Sequence, residues 1–297
     1  MALLTYGFGR NILVIRPDRN TKARDYTGAF KPDTDAFCRA VKASGAPDPI
    51  VYEFDASVPH PARAKPTLAV IADAASKFAT RDGLSTLVLC CHGWTDGTQS
   101  GLLRKHAKAV AALLAPPAPM AGADPKALVS NAALLADGWY GMSQAKPLHV
   151  VLWCCSTGKP GDGTADKEAA SGASGGDNGF ADKLRDELCA VGLTWCRVYA
   201  HTTDGHCTRN PNVRVFEGLG SPVGGVGGEW IVPPPSTLDR QHGRSALWAT
   251  WRDALWAKNS WAVGKLLCGG NAKDFRLWAP FMTRAERIAE LGRVLQS

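Results

Sequence analysis

Two short stretches carry residues able to do covalent chemistry. Residues 87–91 form an apolar run that ends at His92-Gly93, and residues 150–154 form a second that ends at Cys155-Ser156-Thr157-Gly158. A thiol with an ordinary pKa of about 8.5 is mostly protonated at neutral pH. An imidazole beside it can take that proton and later deliver it to a leaving amine. In such a pairing Cys155 attacks a carbonyl carbon, while His92 serves first as general base and then as general acid. The tetrahedral intermediate needs hydrogen-bond donors, and the amides of Gly93 and Cys155 are the candidates. Gly93 qualifies because a position without a side chain lets a substrate approach its backbone. Cys90, Cys91 and Cys154 fall inside the apolar runs, where cysteine serves packing, and His149 is read as structural on the same ground.

For His92 and Cys155 to meet, the two apolar runs must be neighbouring strands whose carboxyl ends share one edge. The rest of the chain fits that requirement. Short β-branched runs at 12–15, 49–54, 84–91, 148–154 and 194–200 alternate with segments of helical period. That alternation predicts an α/β fold, an open, mostly parallel sheet with helices on both faces. The first helix carries Phe37 and Val41, with Asp33 or Thr34 as its cap and Gly45 as its stop. The second has its stripe on Leu68, Ile71, Ala75 and Phe78. Further helices are expected at 105–114 and 126–137, and around Phe180, Leu184 and Leu188, while 93–102 reads as a small hairpin or loop.

Residues 159–178 are dominated by Gly, Ala, Ser and Asp, which cannot bury enough apolar surface to offset the entropy of ordering, so an exposed, mobile loop is expected. The last third leaves the alternation. It holds a glycine-rich loop at 218–228, a helix on Leu247, Trp248, Trp251 and Leu255, a strand at 274–281, and a final helix opened by Thr283 with Glu286. No repeat and no interdomain linker interrupts residues 1–297, which read as one domain.

Composition narrows the function classes. The chain has 297 residues, 45% of them hydrophobic, and 34 Lys+Arg against 27 Asp+Glu, a net charge of +7. The excess is spread out, with no basic run, so a nucleic-acid partner is not expected. No apolar stretch approaches the ~18 residues of a membrane span, and none at the N-terminus suits a signal-peptide core. Nine cysteines, with two adjacent pairs, do not suit a secreted disulfide scaffold and point to reduced thiols in the cytoplasm. Dinucleotide, phosphate-loop and serine-hydrolase motifs all fail on context, so no cofactor is implied. A metal site on Cys90, Cys91, His92, Cys154, Cys155, His201, His206 and Cys207 is a second hypothesis, but only His201 and His206 approach ligand spacing.

The segments Leu87-Val88-Leu89-Cys90-Cys91-His92-Gly93 and Val150-Val151-Leu152-Trp153-Cys154-Cys155-Ser156-Thr157-Gly158 resemble the His-Gly and Cys motifs of caspase-like cysteine peptidases, a superfamily of caspases, metacaspases, legumain and gingipains. The resemblance implies a cysteine endopeptidase with a Cys155–His92 dyad, and it selects Cys155 over Cys154. Gly28 with Asp35-Ala36 is similar to the segment before the first helix of metacaspases. Thr203-Asp204-Gly205-His206-Cys207-Thr208-Arg209-Asn210 looks like the segment lining the specificity pocket, which implies substrate-binding roles for Asp204 and Arg209. Trp153 stands where relatives carry a polar pocket residue, and it is placed among the substrate-binding positions. Arg209 would favour an acidic substrate side chain and Asp204 a basic one. By the same resemblance the 159–178 loop corresponds to the linker cut during activation, the partners are a protein or peptide substrate and a regulatory protein, and 216–297 is an unmatched extension of the domain. A catalytically silent scaffold on the same fold is the alternative from the binding-protein class.

Overall fold

Buried parallel strands need apolar residues on both faces, and the runs singled out above have them: β1 (Ile12–Pro17), β3 (Thr86–Cys90) and β6 (Leu148–Trp153) are buried along their whole lengths. The computed structural model describes residues 11–18, 30–43, 46–78, 83–115, 147–161, 175–202, 213–225 and 227–230. With β2 (Ile50–Phe54) and β7 (Cys196–His201), the three buried strands form a parallel sheet in the order β2-β1-β3-β6-β7. The sheet continues into β8 (Val213–Glu217), antiparallel to β7, and a two-residue β9 (Glu229–Trp230). A separate hairpin pairs β4 (Gly93–Trp94) with β5 (Gly97–Thr98).

Successive strand residues face opposite sides, and the two sides are covered unequally. Leu13, Ile15, Leu87, Leu89, Leu148, Val150, Leu152 and Val198 join one core with α2 (His60–Phe78), α3 (Ala107–Leu114) and α4 (Phe180–Ala190), which pack side by side. In α4 the stripe is the expected one. Phe180, Leu184 and Leu188 are wholly buried, which stabilises the fold by about 1.5–3 kcal/mol each. The other side is covered by α1 (Phe30–Ala43), whose Phe37 meets Trp153 edge to face at 5.3 Å.

Several expectations shift. Asp33 and Thr34 do not cap α1, which starts earlier, at Phe30. Thr34 instead donates its hydroxyl back to the Phe30 carbonyl (2.7 Å) and accepts Arg16 Nη1 (2.5 Å), because a buried guanidinium at the end of β1 needs acceptors. The buried stripe of α2 runs through Ala64, Thr67, Ile71, Ala74 and Phe78, so Leu68 and Ala75 flank it. Strand β8 was hidden by the charges in VRVFE. Glu217 is satisfied across the ladder by Arg197 at 2.9 Å, and Arg214 is fully buried. The expected helix at 126–137 and all elements beyond 230 lie outside the described residues. Among the described residues no helix is long and apolar enough to cross a membrane.

Candidate active site

Strands β3 and β6 are hydrogen-bonded neighbours, with Cys90 opposite Trp153. Both run in the same direction, so two residues further on His92 and Cys155 leave the sheet side by side at its carboxyl edge. This edge is also the place where an open parallel sheet binds ligands. The strand order turns between β1 and β3, next to the ends of β3 and β6. Phe30, the first residue of α1, meets the His92 ring edge to face, centroids 4.9 Å apart.

His92 is held by its backbone. Its amide donates to Gln99 Oε1 (3.3 Å) and its carbonyl accepts the Gln99 amide (2.8 Å). The Gln99 carbonyl in turn accepts Arg63 Nη1 at 2.8 Å, and Arg63 also donates to the carbonyls of Val58 and Ala56. Thr67 reaches the Ser100 carbonyl, so the amino-terminal half of α2 grips the hairpin that follows His92. Gly101 makes this fit possible. It has φ +94°, and a side chain there would collide with the backbone of Ala64.

The two adjacent cysteines at the end of β6 have opposite fates. Cys154 is 1% exposed, lies on the three-helix side, donates to the Leu89 carbonyl (3.3 Å) and has its sulfur 3.7 Å from that of Cys91. Cys155 is half-buried, is not in a disulfide and lies in the turn that follows β6, just past Trp153 and Cys154. The turn around it is fixed on several sides. Ser156 adopts φ +59°, a conformation non-glycine residues seldom take. Thr157 donates to the Cys154 carbonyl (3.0 Å), and Gly158 donates to the His201 carbonyl at the end of β7 (2.8 Å).

Gly93 joins the two halves. A Cβ there would stand 2.6 Å from Cys154 Cβ and 2.9 Å from the Cys155 carbonyl oxygen. The missing side chain therefore lets the His92 strand close onto the Cys155 turn. Trp153 is 3% exposed, its ring packed on Phe37 between sheet and α1. His149 lies inside β6 with its ring stacked on Tyr199. Asp204 and Arg209 lie outside the described residues, as do His206, Cys207 and positions 162–174 of the long loop. The flanks of that loop are fastened together. The Gly161 amide donates to the Asp177 carbonyl (3.0 Å), and Arg104 Nη1 donates to the Asn178 carbonyl (2.7 Å). Among the described residues no three His, Cys, Asp or Glu side chains gather as a metal site.

Sequence reasoning missed the support around the site: Gln99, Arg63 and Phe30. All three act through contacts between segments distant in the chain, and only the Gly101 turn left a local signal.

No protein-family model, curated protein or solved structure matches the chain.

Proposed function

We propose that the chain is a cysteine endopeptidase of the caspase-like type that cleaves protein or peptide substrates. The observation that carries this reading is the register of β3 and β6, which brings His92 and Cys155 out of adjacent parallel strands at one edge. His92 takes the thiol proton as the Cys155 sulfur attacks the scissile carbonyl carbon. The oxyanion is held by the amides of Gly93 and Cys155, in a setting where fixed donors need no reorganisation. When the tetrahedral intermediate collapses, His92 passes the proton to the departing amine and leaves an acyl-enzyme. Water then attacks with His92 as base, releasing the acid and the free thiol. No cofactor enters this sequence.

Three features support the assignment of roles. Cys155 is half-buried where Cys154 is core, the His92 backbone is clamped by Gln99, and the Cys155 turn is held by Thr157 and Gly158. Asp204 and Arg209 are the residues proposed for substrate selection, and the 159–178 loop is the proposed site of self-cleavage. Digestion of a peptide library by the purified protein, read by mass spectrometry, tests the function. Cleavage at a consistent motif that disappears in Cys155→Ala and persists in Cys154→Ala is the expected result. Loss in Cys154→Ala with activity kept in Cys155→Ala moves the nucleophile, and a library left intact by the wild-type chain removes the reading.

A further inference from the structure

Directly beneath the proposed dyad lies a second pair of sulfurs that the mechanism does not use. Cys91 and Cys154 immediately precede His92 and Cys155, occupy the next register step after Cys90 and Trp153 on adjacent strands, and are 0% and 1% exposed. Their Sγ atoms are 3.7 Å apart, and neither is in a disulfide. Neighbouring parallel strands lie about 4.8 Å apart, inside the Cα separation a disulfide spans, and a bond would bring the sulfurs to about 2.05 Å.

We propose that Cys91 and Cys154 form a reversible disulfide staple that controls the His92–Cys155 site. The oxidant is a small peroxide. One thiol gives up its proton, its sulfur attacks an oxygen of hydrogen peroxide to become a sulfenic acid, and the hydroxide that leaves takes up that proton as the first water. The second sulfur then displaces the sulfenic oxygen as a second water, so two S–H bonds are replaced by one S–S bond and the peroxide is reduced. A dithiol reverses the step by exchange. The link to activity is mechanical. Gly93 already sits so close to Cys154 that the two strand ends cannot adjust independently, and drawing the sulfurs together moves the segments that carry the base and the nucleophile. Misplacement by about 1 Å can cost a catalytic pair roughly a hundredfold. The other close thiol pair, Cys189 and Cys196 at 3.9 Å, joins α4 to the opposite end of β7 and provides an internal control.

The effect on activity rests on the peptidase reading; formation of the bond does not. The test treats the reduced full-length protein with hydrogen peroxide, blocks remaining thiols, and maps crosslinked peptides by mass spectrometry alongside peptidase assays. A crosslink between the segments holding Cys91 and Cys154 is expected. It should be lost in Cys91→Ala and in Cys154→Ala, and kept in Cys90→Ala and Cys189→Ala. Peroxide also oxidises the accessible Cys155, so activity is scored per molecule whose Cys155 thiol remains reduced by mass spectrometry: on that basis wild type should fall at least tenfold and return with dithiothreitol, while Cys91→Ala loses less than half. Absence of the crosslink, or its persistence in Cys91→Ala, overturns the staple. Equal inactivation of wild type and Cys91→Ala overturns its control of the site. A mapped crosslink in a protein that cleaves no peptide in either redox state supports the staple and counts against the peptidase reading alone.

Discussion

The edge where β3 and β6 end and the seam between α4 and the 218–228 loop solve opposite problems. At the seam, Arg185 is wholly buried and surrounded by acceptors. It donates to Asp182 Oδ1 (2.5 Å), Asp186 Oδ1 (2.7 Å) and the carbonyls of Gly225 and Gly227, so the glycine-rich loop is tied to α4 through a saturated charge. At the edge, backbones are locked and the His92 and Cys155 side chains stay half-buried. His92 is fixed by Gln99, Cys155 by its turn, and Gly93 closes the gap between them. A charge that serves structure is enclosed and neutralised, whereas the groups proposed for chemistry keep rigid support and stay only half-buried.

That contrast can be broken at several points. The largest effect is expected from His92→Ala, which should lower kcat/KM by roughly 10²–10⁴-fold without shifting the melting temperature, because it removes proton transfer and leaves the clamped backbone intact. At the seam the pattern reverses. Arg185→Ala leaves the Asp182 carboxylate buried without its cation and should cost about 3–5 kcal/mol in urea unfolding, with the folded fraction still active. A smaller loss, about 1–3 kcal/mol, is expected for Gly93→Ala, whose Cβ collides with Cys154. Here activity should fall as well, since the collision pushes apart the strand ends that carry the dyad. Cys154→Ala removes a buried sulfur and should cost about 1 kcal/mol, with peptidase activity within a few-fold of wild type.

The least effect concerns pH. Burial pushes the Asp182 carboxyl up to about 6, against the pull of Arg185 and the Asn178 amide. A folded value above the unfolded one means that the native state binds the proton more tightly. This group's contribution to stability is therefore fully present below about pH 4 and is lost as pH rises through about 6. Unfolding curves of wild type and Asp182→Asn, measured between pH 4 and 7, should show the wild type losing stability relative to the variant as pH increases. A constant difference would show that Asp182 stays ionised throughout.

The sequence made the frame legible where one element decides its own burial. The continuous apolar runs of β1, β3 and β6 can only be strands covered on both sides, and the stripe of α4 can only face a core. That His92 and Cys155 stand just past the ends of two neighbouring strands was legible for the same reason, since those runs stop there. Strand β8 escaped because its charges are satisfied by partners elsewhere, Glu217 by Arg197. The start of α1 escaped because Thr34, which looks like a cap, answers to Arg16 on another element. The role of Gly93 and the meeting of Cys91 with Cys154 depend on the register between two strands, which no local pattern encodes.

The central claim is that His92 activates Cys155, and thiol reactivity measures it directly. Iodoacetamide alkylation of the reduced protein at neutral pH, followed residue by residue by mass spectrometry, should label Cys155 at least roughly tenfold faster than Cys90, Cys91 or Cys154, because the thiolate is the reacting species. In His92→Ala the Cys155 rate should fall several-fold, toward that of an ordinary half-exposed thiol, while the buried three stay slow. An unchanged rate at Cys155 after the loss of the imidazole would contradict the account.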